Sequence, residues 1–86
     1  MKKITVYSAG YCPYCTQAKR LLSELKLAFD DISLDGKDEL REKLSRENGG
    51  YRTVPMIFIG EEFIGGFSDL ANLHRTGALM TKVQDA

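Results

Sequence analysis

The sequence predicts an α/β protein in which helices lie on both faces of a four-stranded mixed sheet. Segments with strand-like apolar patterns alternate with segments of helical periodicity along the 86 residues. A strand, a helix and a second strand at the start predict parallel pairing, and two late strands joined by a tight turn predict an antiparallel hairpin. The predicted order of elements is therefore βαβαββα.

The first half of the chain supplies a strand, a helix and a second strand. Lys3 to Tyr7 (KITVY) is rich in β-formers with alternating apolar residues, which predicts the first strand. Pro13 stands where the first turn of a helix tolerates a missing N–H. A helix is predicted from Pro13 to Lys26, because its apolar residues recur at i, i+3, i+4 and i+7. A second strand is predicted within residues 28–33.

The second half supplies a charged helix, a hairpin and a last helix. In residues 37–47 (KDELREKLSRE) oppositely charged side chains stand four apart, and Gly49 follows as a stop signal. Met56 to Ile59 is a continuous apolar run, which is typical of a buried central strand. Glu62 to Ile64 is its predicted partner, and the last amphipathic helix begins at Asp69.

Length and composition bound the possible functions. Residues 1–86 are predicted to form a single domain, with residues 81–86 as a loose C-terminal tail. Twelve Lys and Arg balance twelve Asp and Glu, so no basic excess suggests nucleic acid or anionic membranes as partners. The longest apolar run is too short for a membrane span, and the N-terminus does not resemble a secretory signal. We therefore expect a cytoplasmic protein.

Cys12 and Cys15 are the only cysteines, and two residues separate them. The two cysteines could be half of a zinc site, an inert or structural pair, or a working redox couple. A tetrahedral zinc site needs four ligands, and the one histidine, His74, is distant in sequence, so zinc would require a carboxylate or a second chain. A structural disulfide is disfavoured in a compartment where thiols are kept reduced.

The redox interpretation has a physical basis at the predicted helix start. Cysteines three apart on a first helical turn have Cα atoms within the ~4.4–6.8 Å that a disulfide requires. The more N-terminal sulfur meets unpaired N–H groups and the positive end of the helix dipole, which favour thiolate. Cys12 is therefore the predicted nucleophile, and Cys15 is the predicted resolving thiol.

Three segments together resemble the glutaredoxin family in order and spacing. They are residues 12–15 (CPYC), 53–55 (TVP) and 65–69 (GGFSD), within a resemblance that covers Lys3 to Leu79. The resemblance implies the thioredoxin fold and a glutathione-dependent thiol–disulfide oxidoreductase of the small dithiol type. It also implies that Pro55 follows a cis peptide bond.

The resemblance implies a glutathione site next to Cys12. Val54 is expected to pair with glutathione as with an added strand, and Asp69 is expected to hold the γ-glutamyl end. Asp69 could equally be a capping residue of the helix. Lys19 and Arg52 are candidates for binding the glycine carboxylate or for stabilising the thiolate, or are solvated charges. The implied glutathione-binding residues are Tyr14, Arg52, Thr53, Val54, Pro55, Gly66, Phe67, Ser68 and Asp69.

Two positions depart from the pattern of many relatives. Ala9 and Gly10 stand where relatives often carry a lysine, which predicts less positive charge near the nucleophile. Phe67 stands where relatives often have a third cysteine.

The expected partners are glutathione as co-substrate and disulfide-containing or glutathionylated proteins, with ribonucleotide reductase among the candidate targets. We expect a monomer with no tightly bound cofactor and no metal site. One alternative is a glutaredoxin-like redoxin reduced by thioredoxin reductase. Another is a carrier of a [2Fe–2S] cluster held between two chains, which Pro13 disfavours because cluster-binding relatives commonly have a smaller residue there.

Overall fold

A computed structural model describes residues 1–84 of the chain. Its elements, in chain order, are β1 (Ile4–Ser8), α1 (Pro13–Glu24), β2 (Phe29–Ser33), α2 (Asp38–Glu47), β3 (Met56–Ile59), β4 (Glu62–Gly65), α3 (Phe67–Thr76) and α4 (Ala78–Gln84).

The strands form one mixed sheet in the order β2-β1-β3-β4. β1 pairs in parallel with β2, while β1 with β3 and β3 with β4 are antiparallel. The apolar run of β3 therefore lies in the middle of the sheet, as predicted. The four-stranded mixed sheet with its helices confirms the predicted fold class.

Helices cover both faces because side chains of the central strands alternate between two apolar clusters. On one face, Ile57 and Ile59 pack with buried residues of α1, α3 and α4. On the other face, Met56 packs with Leu34 and with Leu44 of α2. The first cluster fixes α1 against the sheet, and its N-terminus carries the cysteine pair.

Helix boundaries differ from the prediction by a few residues. α1 ends at Glu24 and not at Lys26, which adopts a left-handed conformation with φ 59°. α3 begins at Phe67, two residues before the predicted start at Asp69.

The prediction that residues 81–86 form a loose tail is wrong for residues 81–84, which belong to α4. Leu79 and Val83 are each 1% exposed and join the larger apolar cluster. The backbone N–H of Lys2 donates a hydrogen bond to the carbonyl of Val83 at 2.7 Å, which joins α4 to the segment before β1. Residues 85 and 86 lie outside the described residues. Among residues 1–84, no helix is long and apolar enough to span a membrane.

Candidate active site

Cys12 lies between the end of β1 and the start of α1 and is the N-cap residue of that helix. Its backbone is extended (φ −146°, ψ 101°), and Pro13 occupies the first turn. The backbone N–H of Cys15 donates a hydrogen bond to Cys12 Sγ at 3.1 Å. Sulfur thus takes the place that a serine or aspartate oxygen usually takes at a helix start. An N–H aimed at this atom favours negative charge on it.

The two cysteines form a disulfide, and their Cα atoms are 5.2 Å apart. This separation lies within the range predicted from their spacing. Cys15 is buried, at 1% exposure, whereas Cys12 is half-buried. An incoming molecule therefore has easier access to the sulfur of Cys12.

The TVP segment lies across from Cys12. The peptide bond between Val54 and Pro55 is cis, as the resemblance implied. The carbonyl oxygen of Val54 lies 3.6 Å from Cys12 Sγ. Within residues 1–84, Val54 takes part in no strand pairing and no backbone hydrogen bond. Its peptide groups are thus available to a molecule attached to Cys12.

An open groove of about 390 Å³ connects the three motifs. The ring of Tyr14 is 62% exposed and stacks on Phe67, with ring centroids 6.4 Å apart. The groove is lined by Tyr14, Tyr51, Thr53, Val54, Pro55, Gly66, Phe67 and Ser68. Seven of these were predicted glutathione-binding residues, so the structure brings most of the predicted set together. Tyr51 is the lining residue that sequence reasoning missed.

Gly66 lines the end of the groove at the start of α3, and Asp69 holds it there. The backbone N–H of Gly66 donates a hydrogen bond to Asp69 Oδ2 at 3.0 Å. A Cβ atom at Gly66 would lie 2.6 Å from the hydroxyl of Tyr51, so a larger residue here would displace the side chain of Tyr51. The carboxylate of Asp69 is thus engaged in capping α3. It does not line the groove.

Lys19 is paired and is not free for a ligand carboxylate. Its Nζ lies 2.8 Å from Asp31 Oδ2, and Ser8 Oγ donates to Asp31 Oδ1 at 2.7 Å. Partial burial raises the pKa of Asp31, but the hydrogen bonds from Lys19 and Ser8 outweigh it and hold this pKa below its ordinary value. Lys19 therefore joins α1 to Asp31 of β2, and Asp31 in turn is bonded to Ser8 of β1.

Arg52 lies outside the groove, in a neighbouring cleft. Its side chain is exposed, and its carbonyl accepts a hydrogen bond from Arg41 Nη2 at 3.2 Å. His74 is exposed near the end of α3, far along the helix from the groove. Among residues 1–84, no three or more His, Cys, Asp or Glu side chains lie together so as to hold a metal ion.

Comparison with known proteins shows the family to which the chain belongs. The family model described as Glutaredoxin matches residues 4–64, which is most of the chain and includes the cysteine pair and the TVP segment. The chain belongs to the glutaredoxin family. A glutaredoxin of Pseudomonas aeruginosa is 46% identical over 79 residues, which cover 92% of this chain and 93% of the relative. Glutaredoxin-1 of Bos taurus is 41% identical, over 95% of this chain and 82% of the relative.

Solved glutaredoxin structures share the fold. The crystal structure of a buckwheat glutaredoxin–glutathione complex superposes with a TM-score of 0.90 at 34% identity, covering 95% of this chain and 76% of the other. A wheat glutaredoxin gives a TM-score of 0.89 at 36% identity, covering 96% and 80%. This chain is thus a thioredoxin-fold enzyme with glutaredoxin oxidoreductase activity.

Proposed function

We propose that the protein is a glutathione-dependent thiol–disulfide oxidoreductase that uses Cys12 as nucleophile and Cys15 as resolving thiol. The observation that carries this proposal is the environment of Cys12 Sγ. Cys12 Sγ accepts a hydrogen bond from the Cys15 N–H at 3.1 Å and lies 3.6 Å from the carbonyl oxygen of Val54, a residue that lines the open groove.

With a glutathionylated protein, the Cys12 thiolate attacks the glutathione sulfur of the mixed disulfide. The old S–S bond breaks, the protein thiolate leaves and takes up a proton, and Cys12 carries the glutathionyl group. The thiolate of a second glutathione attacks that glutathionyl sulfur. Oxidised glutathione is released and the Cys12 thiolate is regenerated. Cys15 is not needed for this route.

With a protein disulfide, Cys12 attacks one sulfur and the other leaves as a thiolate. Cys15 then attacks Cys12 Sγ, which releases the reduced protein and forms the Cys12–Cys15 disulfide. Two glutathione molecules return the pair to dithiol and leave as oxidised glutathione. The burial of Cys15 supports this division of roles, because a resolving thiol needs to reach only Cys12.

The groove suits the backbone of a short extended peptide. In our proposal the cysteine residue of glutathione pairs with the unpaired peptide groups of Val54. Its γ-glutamyl end lies toward Phe67 and Ser68 at the start of α3, where backbone N–H groups favour a carboxylate. Asp69 contributes by holding the N–H of Gly66 and with it the shape of this end.

The test is a coupled assay with two electron sources. A glutathione mixed disulfide is supplied with NADPH and either glutathione with glutathione reductase, or thioredoxin reductase alone. We expect turnover with the glutathione system only. Turnover with thioredoxin reductase alone would contradict the proposal and favour the redoxin alternative.

A further inference from the structure

Tyr51 lines the groove but has no part in the thiol–disulfide exchange at Cys12. It follows two glycines with left-handed backbones, Gly49 (φ 73°) and Gly50 (φ 84°), which turn the chain after α2. Its side chain is half-buried and shares the groove wall with Thr53 and Val54. The chain thus places a phenol group beside the segment that is proposed to hold glutathione.

The ring of Tyr51 is fixed by its packing. It meets the ring of Phe63 edge-on, with centroids 5.0 Å apart and an interplanar angle of 74°. Phe63 in turn packs on Phe58, with ring centroids 5.1 Å apart. All three rings pack against the apolar cluster that contains Met56. The position of the Tyr51 hydroxyl is therefore set by the ring and does not depend on a hydrogen bond.

The hydroxyl of Tyr51 is unpaired and accessible. Its oxygen lies close to Gly66, 2.6 Å from where a Cβ atom of that residue would stand. Within residues 1–84, Tyr51 Oη takes part in no hydrogen bond. In the same residues, no fully buried side-chain oxygen or nitrogen lacks a partner, so an unpaired Oη has to be accessible. Its proton is thus free to be donated to a ligand in the groove.

The surroundings of this hydroxyl favour an anionic group of the ligand. Gly66 directly precedes Phe67 and Ser68, whose backbone N–H groups have no acceptor within α3 because they belong to its first turn. The proposed function directs the γ-glutamyl end of glutathione to these N–H groups. The carboxylate of Asp69, which is also near Gly66, is engaged by the Gly66 N–H. A carboxylate of the ligand would therefore meet a further donor in Tyr51, and hydrogen bonds to a charged acceptor are the stronger ones.

We propose that Tyr51 is a specificity-determining residue for glutathione, whose hydroxyl donates a hydrogen bond to the α-carboxylate of the γ-glutamyl residue. The inference rests on the proposed function and adds a binding residue to the same site. The reaction is unchanged: the Cys12 thiolate attacks the glutathionyl sulfur, the old S–S bond breaks, and the protein thiolate leaves and takes up a proton. Tyr51 selects the disulfide and exchanges no bond itself.

The test compares two mixed disulfides of one fluorescent peptide, one with glutathione and one with cysteinylglycine, which lacks the γ-glutamyl residue. All proteins carry Cys15→Ser, so that release of the peptide thiol reports attack by Cys12 on the sulfur of the small thiol. The second-order rate constant of this release is measured in a single turnover. We expect the glutathione disulfide to react faster. Adding Tyr51→Phe should lower its rate about three- to tenfold and leave the rate of the cysteinylglycine disulfide unchanged.

Tyr7→Phe is the matched control, because it removes a hydroxyl from another half-buried tyrosine of the same cluster. The ring of Tyr7 contacts Phe58, with centroids 5.7 Å apart, and Tyr7 does not line the groove. This variant should keep the full preference for the glutathione disulfide.

The outcomes separate the inference from the proposed function. A full preference retained by Tyr51→Phe would overturn the inference and leave the proposed function standing. An equal loss of rate on both disulfides would overturn the inference as well, because Tyr51 would then only shape the groove. If the protein with Tyr51 intact does not prefer the glutathione disulfide, the proposed function itself is overturned, since glutathione is then not recognised.

Discussion

The backbone N–H of Cys15 donates a hydrogen bond to Sγ of Cys12 at 3.1 Å. The atom that begins the proposed chemistry is thus also the cap of α1, and the second cysteine supplies the capping N–H. A thiolate at this position keeps the same donor and gains from the positive end of the helix.

This relationship predicts unequal reactivity of the two thiols after reduction. At neutral pH, iodoacetamide should alkylate Cys12 at least about tenfold faster than Cys15, because thiolate character and exposure both favour Cys12. The rates are measured by mass spectrometry in Cys15→Ser and Cys12→Ser, each of which retains one thiol. Similar rates would mean that the capping geometry does not activate Cys12.

Asp69 offers a way to separate capping from ligand binding. Asp69→Ala removes the acceptor of the Gly66 N–H and should lower the free energy of unfolding by about 1 kcal/mol. Asp69→Asn keeps an acceptor but removes the charge, so it should cost less stability. Urea unfolding and the KM for glutathione are measured for both variants. If Asp69 only caps α3, Asp69→Asn should leave this KM unchanged; a several-fold increase would assign the charge to glutathione binding.

The lowered pKa of Asp31 predicts that its contribution to the free energy of unfolding changes only at acidic pH. Its pKa is lowered in the folded state, so its ionised form stabilises the fold at neutral pH, and this contribution is lost as the pH falls through the folded-state pKa. Lys19 and Asp31 are 32% and 39% exposed, which limits the gain to at most about 1 kcal/mol.

The measurement compares wild type with Asp31→Asn by urea unfolding at several pH values. The stability difference should be constant above about pH 5 and should shrink below about pH 4. Asp30→Asn is the control, because the Lys3–Asp30 pair is 72% and 53% exposed and should matter little. A difference that grows toward acid pH would contradict the assignment.

Because α4 packs on the main apolar cluster, we predict that its buried residues stabilise the whole domain. Leu79→Ala should lower the free energy of unfolding by about 2–5 kcal/mol, since Leu79 is 1% exposed in the main cluster. Met80→Ala is the matched control on the same helix, at 38% exposure, and should cost less than about 0.5 kcal/mol. Equal effects would mean that α4 does not dock on the core in solution.

The same helix shows where sequence reasoning fails. α4 has seven residues, too few to give a reliable periodicity, and it is held by burial of Leu79 and Val83 and not by its own propensity. The longer helices were predicted within a few residues because their apolar pattern repeats over several turns, and the strands because they are short runs of β-forming residues. Gly77, with φ 80°, ends α3 and lets a new helix start, a signal that could have been read as a turn between two helices.

The candidate site was predictable to the extent that it lies in contiguous motifs. The cysteine pair, the TVP segment and the glycines before α3 each mark a local backbone geometry, and the fold brings them to one groove. Contacts between residues that are distant in the sequence are not indicated by any local motif. The pairing of Lys19 with Asp31, and the place of Tyr51 in the groove, follow only from the packing of β2 and of the segment after α2.

The most direct test of the central claim is the activity of two serine variants on a glutathione mixed disulfide, in the assay coupled to glutathione reductase. Cys15→Ser should retain turnover and accumulate a glutathionyl group on Cys12, detectable by mass spectrometry, while Cys12→Ser should be inactive. Retained turnover in Cys12→Ser, or its loss in Cys15→Ser with the protein still folded, would contradict the account.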